Sequence, residues 1–86
     1  MTFVWTARFE RAYRALSSEA QVAVDEHLRL MERNWRHPSL QTKKLHGFRH
    51  IWYLRIGRGM RLTFEPHRGA ILLRNVGPHD PTLRSP

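Results

Sequence analysis

Hydrophobic positions in this 86-residue chain change their period near its middle. Before Pro38 they recur at helical spacing. Phe9, Tyr13 and Leu16 fall at i, i+4 and i+7, and Ala20, Val24, Leu28, Met31 and Trp35 form a second stripe. After Pro38 they alternate: Trp52, Leu54 and Ile56 share one face of an extended segment, and Met60, Leu62 and Phe64 share one face of the next. The pattern predicts a short strand over Thr2 to Trp5 and a helix capped by Thr6, with Glu10 and Arg14 placed for an i,i+4 pair. A second helix follows, opened by Ser18 and Gln21 at capping-box spacing. Three strands come last, over Ile51 to Ile56, Met60 to Glu65 and Ala70 to Val76.

The breaks between these elements set how they assemble. A Ser17-Ser18 corner is tight enough to fold the two helices into an antiparallel hairpin. Pro38 ends the helical half, because a residue preceding proline is pushed out of the α region. The segment from Arg36 to Gly47 is then a polar connection with two apolar anchors, Leu40 and Leu45. Gly57-Arg58-Gly59 and Pro66-His67-Arg68-Gly69 are short enough to make the three strands antiparallel neighbours. The last strand is apolar on both sides, as a central strand should be, and Pro81 to Pro86 reads as a flexible tail. Residues 1–86 therefore predict one α+β domain, with a short N-terminal strand and a helix hairpin packed on one face of a small antiparallel sheet. Nothing else in so short a chain can cover the apolar faces of the strands.

The opposite sheet face carries Tyr53, Arg55, Arg61 and Thr63, while Arg74 can fall on either side. Charge sharpens that picture. Met1 to Arg36 holds six Arg/Lys against five Asp/Glu, whereas His37 to Pro86 holds nine against two, so nearly all of the net +8 lies in the strand half. Thirteen Arg against two Lys fits a codon bias, but such a bias does not explain why acids vanish from the second half. The charge implies a nucleic acid, an acidic protein, or both as partner. Zero cysteines exclude disulfides and thiolate metal sites, which fits a reducing cytoplasm. His27 has no second ligand near it and reads as a partly buried surface residue, so no metal or other cofactor is expected. No apolar run approaches the ~20 residues of a membrane helix, and the N-terminus lacks the parts of a secretory signal, so no membrane association is expected.

Arginines on adjacent open-face strands can grip one phosphate, and Tyr53 offers a surface for stacking a base. Gly77-Pro78-His79-Asp80 leads a histidine out of the last strand beside them. Such a face is suited to hold a polyanion and to cut it. His79 fits a proton-transfer role because histidine titrates nearest neutrality. His46 and His50 are candidate second proton carriers. Asp80 could orient His79, but adjacent side chains usually point apart, so it is expected to cap the turn instead.

Four segments carry a resemblance to a known family: Arg36-His37-Pro38-Ser39-Leu40, Lys43-Lys44-Leu45-His46-Gly47 with Trp52 downstream, Gly59-Met60-Arg61-Leu62-Thr63-Phe64, and Val76-Gly77-Pro78-His79-Asp80. In these, and in element order over almost its whole length, the chain resembles the RelE/ParE superfamily of type II toxin-antitoxin toxins, with its Gly-x-His turn closest to the YafQ branch. The resemblance implies a metal-independent mRNA endoribonuclease that enters the ribosomal A site and is neutralised by a cognate antitoxin. It implies catalytic roles for His79, Arg61 and Arg55; beside them, Lys43, Lys44, Tyr53 and Arg74 are the residues expected to bind substrate. Arg61 stands where the family holds the scissile phosphate, Arg55 where it has another basic residue, and Tyr53 where RelE has lysine. Leu83 stands near the place where other members carry a C-terminal aromatic. Two other readings share the fold: a ParE-like gyrase poison, and a non-catalytic basic module that meets operator DNA through its antitoxin complex.

Overall fold

Thr6 ends the first strand and starts the first helix within one residue. Its Oγ1 accepts from the Phe9 amide at 3.0 Å and donates to the Leu73 carbonyl at 2.8 Å, so the helix cap is also tied to the far end of the chain. The computed structural model describes every residue from Met1 to Pro86. It comprises β1 (Thr2–Trp5), α1 (Ala7–Arg14), α2 (Ser18–Asn34), a 3-10 turn at Pro38–Leu40, β2 (Lys43–Lys44), β3 (Trp52–Ile56), β4 (Met60–His67), β5 (Ala70–Pro78) and α3 (His79–Arg84). Ser17 rather than Ser18 caps α2, accepting from the Ala20 amide at 3.1 Å. Gln21 turns back instead to the Tyr13 carbonyl, and Tyr13 donates to Asp25 at 2.8 Å, closing the helix hairpin.

The class is α+β as expected, but the sheet is mixed. Its order is β1-β5-β4-β3-β2, with β1 parallel to β5 and the other pairs antiparallel. A parallel pair needs a long crossover, and the helix hairpin lies within the connection that supplies it. β5 is thereby an interior strand, hydrogen-bonded along both edges.

The helix stripes and the strand faces meet as their periods require. Phe9, Val24, Leu28 and Met31 are buried against Leu54, Ile56, Leu62, Phe64, Ile71 and Leu73. Trp52 is half-buried at the margin, edge-on to Trp35 at 5.0 Å. β4 runs on to His67, so the connection to β5 is the two-residue turn Arg68-Gly69, with φ of +40 and +79. Positive φ at both positions is what a two-residue hairpin of the twist-compatible type demands.

A bulge decides where Arg74 goes. The β4–β5 register passes from Thr63↔Asn75 to Phe64↔Leu73, leaving Arg74 as the extra residue. Leu73 and Val76 can both reach the core despite their odd spacing, and Arg74 joins Asn75 on the open side.

The predicted loose tail is instead a clasped helix. Thr82 is buried, with its Oγ1 above Gly77, and Thr63 Oγ1 donates to the Pro86 carbonyl at 3.0 Å. Arg74 Nε donates to the same carbonyl at 3.2 Å, while Asn75 Nδ2 donates to that of Ser85 at 3.0 Å. Arg8 reaches the Ser85 carbonyl from α1. Proline-rich sequence gave no sign of this, because the donors are remote in the chain. No helix is long and apolar enough to cross a membrane.

Candidate active site

Strand pairing assembles the site in steps. Lys43 on β2 stands opposite Tyr53 on β3, and Arg55 follows two residues on, on the same face. Arg55 stands opposite Arg61, and Arg61 opposite Gly77. The ladder ends at Met60↔Pro78, where the His79 amide donates to the Gly59 carbonyl at 2.9 Å and fixes the start of α3 beside the β3–β4 turn. Gln41, Lys43, Tyr53, Arg55, Arg61 and His79 line one cleft of about 210 Å³.

The cleft is electrostatically unanswered. The ion pairs of the molecule are Glu10–Arg14, Glu65–Arg74 and Asp80–His79, so Lys43, Arg55 and Arg61 have no carboxylate. Arg61 is half-buried and spends one N–H on the Met60 carbonyl at 2.9 Å, while Arg55 is exposed. Three cations on one concave surface attract a multivalent anion, and the focusing strengthens as water is excluded.

Asp80 does meet His79, contrary to the turn-capping expectation. Its Oδ1 lies 2.6 Å from His79 Nδ1, and the helix start has no side-chain cap. The hydrogen bond from His79, then the imidazole charge and more weakly that of Arg84, hold the Asp80 carboxyl below its ordinary value. An ionised carboxylate can only accept, so Nδ1 carries the proton and Nε2 is the nitrogen left for chemistry. The signal was the His-Asp pair at a helix start.

Other expected residues fall elsewhere. Lys44 pairs with Trp52, whose side chain packs against the core, so alternation turns Lys44 away from the cleft. Arg74 binds Glu65 Oε1 at 3.2 Å and the Pro86 carbonyl, in a groove with Thr6 and Arg8 rather than in the cleft. His46 and His50 are exposed in the β2–β3 loop and line no part of it. Leu83 is half-buried on α3, leaving Tyr53 as the aromatic of the cleft. Gln41 was missed: it takes φ +50 after the 3-10 turn, a left-handed conformation that its residue type does not announce.

As a sequence, the chain matches no protein-family model and no curated protein. Solved structures do match. It is similar to a YoeB/ParE toxin from Agrobacterium tumefaciens, with a TM-score of 0.78 at 18% identity over 92% of this chain and 99% of that one. The chain carries the RelE/ParE toxin fold. The RelE/ParE likeness extends to the E. coli RelBE toxin-antitoxin complex, with a TM-score of 0.76 at 17% identity over 92% and 96% of the two chains. A RelB-RelE antitoxin-toxin complex from Methanococcus jannaschii gives a TM-score of 0.76 at 14% identity over 91% and 92%.

Proposed function

We propose that this chain is the toxin of a type II toxin-antitoxin pair, and that it acts in the cytoplasm by cutting mRNA in the ribosomal A site. The observation that carries the reading is the convergence of His79, Arg55 and Arg61 on one cleft, with Asp80 fixing the imidazole. RNA supplies its own nucleophile. The 2′-oxygen attacks the adjacent phosphorus as a base takes its proton, a 2′,3′-cyclic phosphate forms, and the 5′-oxygen leaves with a proton from an acid. His79 Nε2 makes one of these transfers in this reading. Arg61 and Arg55 stabilise the charge that grows on the phosphate oxygens. Lys43 holds a neighbouring phosphate, and Tyr53 stacks a base.

A cognate antitoxin, acidic or amphipathic, completes the pair by covering the basic face, and the complex would meet operator DNA through the antitoxin. Primer extension on mRNA after controlled expression tests the reading. Cuts within translated codons that disappear with His79→Ala are expected. Intact mRNA together with inhibited DNA supercoiling would transfer the assignment to a gyrase poison, the reading that the aliphatic Leu83 favours.

A further inference from the structure

A second aromatic stands exposed in the β2–β3 loop without a structural task. Phe48 is 44% exposed, one of five exposed large apolar side chains with Met1, Val4, Trp5 and Val22. Trp5 packs edge-on to Phe9 and Tyr13, whereas Phe48 touches no other ring. The loop that presents it is held at both ends. The Leu45 amide donates to the Ile51 carbonyl at 2.8 Å, the Phe48 amide donates to that of Leu45 at 3.2 Å, Gly47 takes φ +88, and Ile51 is buried. Phe48 is thus set outward by its backbone, although burying such a ring would stabilise the fold by about 2 kcal/mol.

Its surroundings select the ligand. Arg49, His46 and His50 flank it, and between Glu32 and Glu65 the chain has eight Arg/Lys and no acid. An exposed ring in a cationic setting fits a ligand that joins flat apolar groups to phosphates. β3 leads from this loop to the cleft, and four residues from Ile51 to Arg55 span about 13 Å of strand. One single strand can therefore occupy both places.

We infer that Phe48 is a stacking subsite for a nucleobase of single-stranded RNA, a few nucleotides away from the phosphate held by Arg55 and Arg61. The inference rests on the nuclease reading for its substrate class, and its test is separable from that reading because it measures binding without cleavage.

Fluorescence anisotropy with a labelled octaribonucleotide and a labelled diribonucleotide, on protein silenced by His79→Ala, reads the subsite. Phe48→Ala is expected to weaken octanucleotide binding about 5- to 150-fold, the range for one lost base–aromatic stack. Phe48→Trp should restore it, and the dinucleotide, too short to reach from the cleft, should bind equally to all three proteins. Octanucleotide affinity unchanged within twofold overturns the inference, as does an equal loss for the dinucleotide, which would make Phe48 a support of the cleft itself. Phe48→Ala that weakens an acidic protein partner but not RNA overturns it in favour of protein docking. Failure of the His79-intact protein to cut mRNA removes the nuclease reading and leaves these affinities standing.

Discussion

Arg55 on β3 stands directly opposite Arg61 on β4, and no carboxylate pairs with either. Like charges facing each other across strands oppose folding by some tenths of a kcal/mol, so this pair is a small liability that a phosphate between the two guanidiniums would remove.

Arg61→Ala therefore has two effects of opposite sign. Stability stays level or rises slightly, because a repulsion is relieved and no buried partner is left unpaired. Cleavage falls by roughly two orders of magnitude, the usual loss for one electrostatic contact of about 3 kcal/mol in the transition state. A thermal melt with single-turnover cleavage on programmed ribosomes separates the two. A lower melting temperature with cleavage intact would mean that Arg61 serves the fold and not the site.

His79 and Asp80 predict a pH signature as well as a rate. His79→Ala should cost 10²- to 10⁴-fold, the range for a lost general acid or base, and His79→Gln should not rescue it, since an amide cannot titrate. The Asp80 carboxyl sits below its ordinary 3.8 because His79 donates to it. A depressed folded value means that this contact stabilises the fold above the ordinary value and ceases to as pH falls through the depressed one. Titration of Asp80 followed by NMR should show its midpoint rising toward the ordinary value in His79→Ala. An unmoved midpoint would show that the hydrogen bond does not form in solution.

Local pattern made the helix stripes and the three long strands readable, because helical and strand periods are written in consecutive residues. The same alternation placed Arg55, Arg61 and Tyr53 on the open face. Arg74 escaped because a bulge, set by packing around Leu73 and Val76, breaks the alternation beside it. Lys44 escaped because β2 is only two residues long, too short to show a face. The helix in the proline-rich C-terminal segment was illegible for a different reason: its fastenings come from Arg8, Thr63, Arg74 and Asn75, all far from it in sequence.

Those fastenings should matter to the site, since α3 begins with His79. Arg74→Ala removes donors to Glu65 and to the Pro86 carbonyl and should cost about 2 kcal/mol, at ~1 kcal/mol net for each of the two hydrogen bonds. Gly77→Ala sets a Cβ 3.1 Å from Thr82 Oγ1, close enough to push α3 off the sheet by a few tenths of an ångström. Both variants should speed amide hydrogen exchange in residues 79–84 and lower the maximal cleavage rate while leaving KM nearly unchanged. Arg74 acts here through His79; a rise in KM alone would return it to substrate binding.

Antitoxin binding tests the charge asymmetry from the other side. The strand half carries nearly all of the net +8, so an acidic partner should associate quickly at low ionic strength and lose rate as salt rises, because rim and surface charges act mainly on encounter. On the proposed function, the product of an adjacent reading frame should co-purify with this chain. Arg55→Glu combined with Arg61→Glu should slow association by an order of magnitude or more, through both lost attraction and new repulsion, and flatten its dependence on salt. Dissociation should change less, since surface charges act mainly on encounter. Stopped-flow association across a salt series distinguishes the two steps. Association that ignores salt, with Arg55 and Arg61 still accessible in the complex, would place the antitoxin on another face and leave the cleft to RNA alone.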